Sequence, residues 1–153
     1  MTDRSSPYDD QRTESIRPEA RAIPPTAALK RLLGECWSSG TSSLWSAVTP
    51  SLGQCGVTAL VLNDHFGGEI LKTRVGDVWH FYNRVANTRV DATDDQFPAP
   101  LDYLDLSSSR DEAFADTSES QYRELSRRFA VAVARAGLRG RAPDHGRGTG
   151  PRA

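Results

Sequence analysis

The chain has 153 residues, which fits one folded domain and leaves little room for a second. It is 37% hydrophobic and 25% charged, with a formal net charge of -1, so it has no general attraction for nucleic acid or anionic lipid. No apolar stretch is long enough to span a bilayer, and residues 1–21 lack the apolar core of a signal peptide. We therefore expect a cytoplasmic protein that makes no use of a membrane.

The two ends of the chain differ in composition from its middle. Residues 1–23 are rich in Ser, Asp, Arg, Pro and Glu and offer too little apolar surface to offset the entropy of ordering. Residues 137–153 are mostly Gly, Arg, Pro and Ala and include four of the basic residues, Arg139, Arg141, Arg147 and Arg152. We expect disorder at 1–23, one domain at 24–136 and a solvated, disordered basic tail at 137–153, an interpretation favoured over a tail that contacts RNA or an acidic partner.

The first helix is predicted to begin at residues 24–26, with Thr26 as its cap. Apolar side chains then recur at i, i+3, i+4 and i+7, at Leu29, Leu32, Leu33 and Cys36. This spacing places Cys36 on a core-facing stripe, where a buried structural thiol is the favoured interpretation. The chain has two cysteines, and in a reducing compartment both are expected to be free.

The second predicted helix, residues 55–66, reads CGVTALVLNDHF. Its first two turns have no charged residue on any side, which is typical of a buried helix. Gly67 and Gly68 mark its C-terminus. The helix therefore carries a thiol, Cys55, at its N-terminal tip, directly after the amide side chain of Gln54.

Three short strands are predicted next, at residues 69–75, 78–85 and 88–93. Two-residue loops at 76–77 and 86–87 join them as hairpins. The three strands form an antiparallel sheet on which the buried helix can pack.

An irregular stretch is predicted at residues 94–117, and such long loops are often lids or disordered. The last helix opens at Ser118 with Gln121 three residues on, which is a capping-box pattern. The fold class is therefore α+β, with a central Cys-bearing helix packed on a short antiparallel sheet and flanked by helices.

The lengths of the hairpin loops set the register of the strands. The first loop places Thr73 opposite His80, and the second places Asp91 opposite Tyr82. Asp91 is then the diagonal neighbour of His80 on one face of the sheet, at roughly 7–8 Å between backbones. A one-residue change in the second loop would move Asp91 to the other face and separate the two side chains.

Cys55, His80 and Asp91 suit the chemistry of a thiol nucleophile. The thiolate is the reactive form, and a helix N-terminus and a nearby imidazolium both lower the pKa of a cysteine. A carboxylate fixes the orientation and tautomer of the imidazole, and backbone N–H groups at the helix tip can stabilise an oxyanion. The sequence predicts Cys55 as nucleophile, His80 as general base and acid, and Asp91 as the residue that orients His80.

Several motifs resemble the small bacterial YunG-like family: GQCGVTAL at 53–60, FGGEI at 66–70, HFYN at 80–83, VDAT at 90–93 and QF at 96–97. The resemblance covers roughly residues 29–129, which is most of the predicted domain. It implies a shared fold and carries no implication about substrate.

A more distant resemblance is to the papain-like superfold, including transglutaminases, in which a helix with an N-terminal cysteine precedes strands that bear His and then Asp or Asn. Gly53-Gln54-Cys55 is similar to the Gly-Gln-Cys of transglutaminases, although Gly56 stands where they have Trp, and no glutamine lies near Thr49, where papain has its oxyanion residue. The resemblance implies a cysteine hydrolase or acyltransferase, such as a thiol protease or amidase, that acts on an amide, isopeptide or thioester carbonyl of a small-molecule or peptide-like substrate. Candidates for the oxyanion site and substrate groove are Gln54, Asn83, Trp45 and Tyr82.

Other interpretations stay open for each of these residues. Cys55 is also compatible with a small buried residue at a helix start, His80 with an aromatic at the edge of the core, and Asp91 with an ion pair to Arg89 or Arg74 or with a turn cap. In that case the chain is a non-catalytic binding module that retains the papain-like fold. The candidate aromatics Trp45, Trp79 and Tyr82 are likewise compatible with core packing.

A zinc site and a bound cofactor are both disfavoured. Cys55, His65, His80 and Asp91 are acceptable zinc ligands, but Cys55 and His65 stand ten residues apart on one helix, which is a rise of about 15 Å. They cannot bind one ion while that helix is intact. The sequence contains no phosphate-binding P-loop and no Gly-rich dinucleotide turn, so we expect no cofactor and no metal.

Overall fold

The centre of the fold is a buried helix. In the computed structural model, which describes residues 22–138, α1 spans Thr26–Cys36 and α2 spans Cys55–Phe66, the bounds predicted for the second helix. The first eight residues of α2 are all buried, as expected for a helix that is apolar all round. The chain then leaves the helix through Gly67, whose φ of 71° lies in the left-handed region that favours glycine.

Four antiparallel strands form one sheet: β1 (Glu69–Val75), β2 (Val78–Val85), β3 (Thr88–Val90) and β4 (Leu106–Ser107). Their order is β3-β2-β1-β4, so β2 and β1 lie in the middle. The predicted register is confirmed for the first hairpin, in which Thr73 pairs with His80. In the second hairpin Asn83 pairs with Val90, which is the same register that sets Asp91 opposite Tyr82.

The third strand is shorter than predicted. It ends at Val90, and the prediction of a strand through residue 93 was wrong. The reason is local, because the Asp91 carboxylate accepts a hydrogen bond from the backbone N–H of Thr93 at 3.1 Å and turns the chain away from β2. A 3-10 turn, Asp94–Gln96, follows directly.

The stretch predicted as irregular contains regular structure. Besides the 3-10 turn it holds β4, which pairs with β1, and the short helix α3 (Arg110–Ala115). Ser109 caps α3 by accepting a hydrogen bond from the Glu112 N–H. A strand of two residues and a helix of six are too short to show a hydrophobic period, which explains why the sequence pattern missed them.

Helices α1 and α4 (Glu119–Arg135) pack against each other, and α4 also packs against α2. The N-cap of α1 is Pro25, so the prediction of Thr26 as the cap was wrong: Thr26 is the first helical residue. The capping box of Ser118 and Gln121 at the start of α4 is confirmed. The apolar core between these helices includes Leu29, Leu33, Cys36, Leu125, Phe129 and Val133.

Residues 22–138 contain four α-helices and one four-stranded antiparallel sheet, an α+β arrangement as predicted. Ile23 and Leu138, at the two ends of this range, pack against the core. The segments predicted as disordered lie largely outside the described residues, at 1–21 and 139–153. Within the described range no helix has the length and apolar character needed to cross a membrane.

Candidate functional site

The two faces of β2 have different surroundings. Phe81 packs with Cys55 and Ala59 of α2, and Asn83 donates a hydrogen bond to the Ala59 carbonyl at 3.0 Å. His80 and Tyr82 alternate with them and point to the opposite face, where their rings stack with centroids 5.8 Å apart. The sheet therefore has an apolar face toward α2 and a polar, aromatic face on its other side.

His80 and Asp91 form the polar contact that the register predicts. His80 Nε2 lies 2.6 Å from Asp91 Oδ2, and both side chains are buried, with His80 fully inaccessible. Asp91 Oδ2 also accepts a hydrogen bond from the Tyr103 hydroxyl at 2.8 Å, and Phe97 packs edge-on against the imidazole. The carboxylate therefore has a fixed position, and it fixes the imidazole in turn.

The other imidazole nitrogen contacts Gln96, which in turn reaches the chain that leads into Cys55. His80 Nδ1 lies 3.5 Å from Gln96 Nε2, at the long limit of a hydrogen bond. Gln96 Oε1 accepts a hydrogen bond from the Gly53 N–H at 3.2 Å. Gln96 thus connects the His80–Asp91 pair to the loop two residues before the cysteine. Because Asp91 accepts the Nε2 proton, Nδ1 is left as the unprotonated nitrogen of a neutral His80.

Cys55 is the first residue of α2, is 7% exposed and is a free thiol. Its Sγ donates to Asp116 Oδ2 at 3.5 Å. The pKa of Cys55 is raised from 9.0 to about 12, chiefly by burial and next by the negative charge of Asp116, while the backbone N–H groups of Phe81 and Gly56 oppose the rise. The helix tip acts in the expected direction, through the Gly56 N–H, but burial and the Asp116 carboxylate outweigh it, so the pKa is raised where a lowered pKa was predicted, and the thiol is neutral in this arrangement.

Asp116 lies in the connection between α3 and α4 and caps the tip of α2. Its Oδ2 accepts the Gly56 N–H at 3.2 Å in addition to the Cys55 thiol. Burial raises the pKa of the carboxyl group, the bonds from Cys55 and Gly56 oppose this, and the imidazole of His80 acts on it through space in the same lowering direction. Asp116 is therefore in contact with the thiol and within electrostatic range of the imidazole.

This contact explains the glycine after the cysteine. A Cβ at Gly56 would lie 2.6 Å from Asp116 Oδ2 and 2.9 Å from the backbone oxygen of Ala113. The α3–α4 connection can approach the tip of α2 only because residue 56 has no side chain. The Trp that transglutaminases have after the cysteine could not be accommodated in this arrangement.

The four candidates for the oxyanion site and groove have different surroundings. Asn83 donates to the Ala59 carbonyl, and the Tyr82 hydroxyl donates to Asp105 Oδ1 at 2.8 Å, so both side chains hold the fold together. Gln54 is fully buried and its Oε1 accepts from Thr41, whereas its Nε2 has no hydrogen-bond partner within residues 22–138. Trp45 Nε1 is likewise buried and unpartnered within the same range, and the indole packs against the core.

The sequence did not predict a place in the site for three residues: Asp116, Gln96 and Tyr103. Asp116 is 61 residues from Cys55 and lies in a stretch predicted as irregular, so no local pattern connects the two. Gln96 belongs to one of the motifs that carry the family resemblance, and Tyr103 follows it within the segment that covers the polar face of the sheet. No group of three His, Cys, Asp or Glu within the described chain has the arrangement of a metal site.

The fold and the site define a small α+β protein with a buried thiol at a helix tip and a buried pair formed by His80 of β2 and Asp91 directly after β3. A family model described as "YunG protein" matches residues 25–134, and the chain belongs to this family. The chain is 52% identical over 102 residues to Uncharacterized protein YunG of Bacillus subtilis (strain 168), an alignment that covers 67% of this chain and 89% of that protein. No solved structure matches the chain.

Proposed function

We propose that this YunG-family chain is a cysteine-nucleophile hydrolase or acyltransferase, with Cys55, His80 and Asp91 in papain-like roles. The observation that carries the proposal is the fixed orientation of His80. Its Nε2 is held by the buried Asp91 carboxylate, while its Nδ1 contacts Gln96, which is hydrogen-bonded to Gly53 in the loop before Cys55. An imidazole used only for packing needs no such arrangement.

The energetic cost of the His80–Asp91 pair supports a functional role. Burying a carboxylate costs several kcal/mol unless its charge and lone pairs are satisfied, and a hydrophobic pair of similar size would often be as stable. Asp91 accepts from His80, Tyr103 and the Thr93 backbone, so the chain uses several residues to keep one carboxylate buried. Such networks occur where a side chain must be oriented for chemistry.

The reaction would proceed by proton transfer and thioester formation. The Cys55 thiol gives its proton to His80 Nδ1, and the thiolate forms a C–S bond to the carbonyl carbon of an amide, isopeptide or thioester. His80 returns the proton to the leaving amine or thiol as the carbon–nitrogen or carbon–sulfur bond breaks. Water or an amine then attacks the acyl-Cys55 thioester; its proton passes through His80 to the Cys55 sulfur as the C–S bond breaks, which releases the acid or amide and restores the thiol. The unpartnered Gln54 Nε2 and the N–H groups at the tip of α2 are the candidate oxyanion donors.

A non-catalytic binding module is the competing proposal, and one observation favours it. The Cys55 thiol is neutral, buried and in contact with Asp116, which is the environment of an unreactive cysteine. In this case the His80–Asp91 pair would serve only to fix the second face of the sheet.

Acylation by an activated acyl donor separates the two proposals. The purified chain would be incubated with a phenyl thioester, and adducts would be located by peptide mass spectrometry. We expect an acyl adduct on Cys55 that is absent in Cys55→Ala, retained in Cys36→Ala and about ten-fold or more slower in His80→Gln, in line with the usual contribution of a general base.

Circular dichroism of each variant would show that its fold is retained. Acylation that falls on Cys36 or on lysines, or that proceeds equally fast in His80→Gln, would refute the catalytic proposal and leave the binding module.

A further inference from the structure

The Asp116 carboxylate occupies the position at the tip of α2 where negative charge would develop during the proposed reaction. We propose that Asp116 is an autoinhibitory latch that holds the Cys55 thiol in a hydrogen bond and covers the Gly56 N–H, and that an acyl substrate must displace this side chain before Cys55 can react. The inference rests on the proposed function and specifies how the same site is regulated.

The hydrogen bonds of Asp116 carry the argument. One oxygen, Oδ2, accepts both from the Cys55 thiol at 3.5 Å and from the Gly56 N–H at 3.2 Å. Backbone N–H groups in the first turn of a helix have no partner inside the helix and are the donors that stabilise anions. The Gly56 N–H cannot serve Asp116 and an oxyanion at the same time. A catalytic cycle that uses this donor therefore requires Asp116 to leave.

The position of Asp116 in the fold suits a latch that opens without unfolding. Asp116 follows the last helical residue of α3 and is exposed, although its Oδ2 points inward. Rotation of its side chain into water would uncover the tip of α2 while α3 stays in place. Helix α3 itself is held by its Ser109 cap and by ion pairs from Lys72 to Glu112 and from Arg110 to Asp64.

Removal of the carboxylate changes the proton balance of the site. With Asp116 in place, the thiol proton lies between sulfur and a carboxylate oxygen, and two negative charges would face each other if the thiolate formed. With Asp116 displaced, the acceptor assigned by the proposed function is His80, and proton transfer to it yields a thiolate and an imidazolium, which attract each other. No covalent bond to Asp116 is made or broken in this step.

The test is the rate of iodoacetamide alkylation at Cys55, followed by peptide mass spectrometry at one fixed pH near 7.5, with Cys36 in the same sample as internal reference. Asp116→Asn removes the charge but keeps an oxygen that can accept the Gly56 N–H, and Asp116→Ala also uncovers the helix tip. We expect alkylation of Cys55 to be about ten-fold or more faster in Asp116→Asn, since each unit of thiol pKa changes the thiolate fraction about ten-fold. The rate at Cys36 should stay unchanged.

Asp111→Asn is the matched control, because it removes an equal charge from an exposed position on the same short helix. It should leave both rates at their wild-type values. An unchanged or slower rate at Cys55 in both Asp116 variants, with circular dichroism showing a retained fold, would overturn the latch; a slower rate would identify Asp116 as a base instead.

A double variant distinguishes failure of the latch from failure of the proposed function. If Asp116→Asn accelerates alkylation and His80→Gln reverses the gain, both proposals hold. If the gain persists with His80→Gln, the latch holds and the role of His80 as base is refuted. If Asp116→Asn has no effect while acylation of Cys55 still depends on His80, the function holds and the latch is refuted.

Discussion

One cysteine lies at the C-terminus of a helix and the other at the N-terminus of a helix. Cys36 is the last residue of α1, and Cys55 is the first residue of α2; both are buried and free. Cys36 belongs to the apolar core, and burial raises its pKa, with Arg128 opposing the rise. Cys55 packs against Phe81 on one side and contacts Asp116 on the other.

The Cys36 thiol is unreactive for a reason that persists as long as the protein is folded, whereas the Cys55 thiol is unreactive in part because of a side chain that can move. At Cys36 the leading cause is apolar packing, which changes only when the core opens. At Cys55 a carboxylate adds to the effect of burial, and a side chain at the surface can move. Substitutions around Cys36 should therefore change the free energy of unfolding, and substitutions around Cys55 should change the reactivity of its thiol.

The largest expected effect is a loss of stability in the apolar core that contains Cys36. Phe129 is fully buried in the core that contains Cys36, and its ring packs edge-on against His65. Phe129→Ala should lower the free energy of unfolding by about 3–5 kcal/mol, from lost burial and the cavity left behind. Urea denaturation would measure the loss. Val131→Ala on the same helix, at a position 43% exposed, should change it by less than about 0.5 kcal/mol. A loss in Phe129→Ala as small as that of the control would show that this core is loosely packed.

The second prediction concerns alkaline pH. The folded state keeps the Cys55 proton between its ordinary pKa of 9.0 and the folded value of about 12, whereas the unfolded chain loses it from about pH 9. The stabilising contribution of this thiol is thus complete below pH 9 and is lost as the pH rises toward 12. In Cys55→Ser the free energy of unfolding should fall less steeply over this range, by up to about 1.4 kcal/mol per pH unit.

Cys36→Ser provides the comparison for that titration. Burial and the charge of Glu35 raise the pKa of Cys36 and Arg128 lowers it, whereas the Cys55 thiol also donates a hydrogen bond to Asp116, so removal of the Cys36 thiol should flatten the pH profile less. Equal flattening in the two variants, measured by urea denaturation at each pH, would mean that Asp116 adds nothing to the effect of burial.

The third prediction uses two helical glycines, each close to one of the cysteines. A Cβ at Gly56 would meet the Ala113 backbone oxygen at 2.9 Å, whereas a Cβ at Gly34 would have nothing within 4 Å. Gly56→Ala should cost about 1–3 kcal/mol because the α3–α4 connection must shift. Gly34→Ala should gain up to about 1 kcal/mol from helix propensity. Thermal unfolding of both variants would measure these opposite changes.

Alkylation of the same pair of variants sharpens the comparison between the cysteines. Displacement of Asp116 in Gly56→Ala should also speed the reaction of iodoacetamide with Cys55, while Gly34→Ala should not change the rate at Cys36. A stabilised Gly56→Ala variant would contradict the close approach of Asp116 to the helix tip.

The smallest expected effect concerns the polar face of the sheet. Tyr103→Phe removes the hydrogen bond from its hydroxyl to the buried Asp91 carboxylate. The loss should be about 1.5 kcal/mol, the lower end for a hydrogen bond to a charged group. Tyr122→Phe, which removes hydroxyl contacts with Asp64 and Arg110 near the surface, should cost less than about 1 kcal/mol. Urea denaturation would measure the loss in the free energy of unfolding of each variant. A larger loss in Tyr122→Phe than in Tyr103→Phe would mean that the hydrogen bond from Tyr103 does not stabilise the buried Asp91 carboxylate.

Much of the fold could be predicted because local patterns specify it. An uncharged run followed by two glycines marked α2 at both ends, and two-residue loops set the strand register that brings Asp91 to His80. Where the elements are short the patterns fail, as at β4 and α3, since a two-residue strand and a six-residue helix show no period.

The candidate site likewise contains one contact that local sequence predicts and one that it does not. His80 and Asp91 are eleven residues apart and joined by one hairpin, so turn geometry alone predicts their contact. Asp116 reaches Cys55 across 61 residues, through a helix that the pattern did not reveal. Its effect on the thiol had no sequence signal and adds to burial in raising the Cys55 pKa, against the predicted direction.

The sequence by itself determined the family, the α+β class, the buried helix with Cys55 at its tip and the proximity of His80 to Asp91. These follow from periodicity, turn residues and hairpin register, which act over a few residues. Only the tertiary structure decided that Cys55 is neutral and that Asp116 caps α2. The reason is physical: a pKa depends on burial and on charges within a few ångströms, and residues distant in the chain supply both.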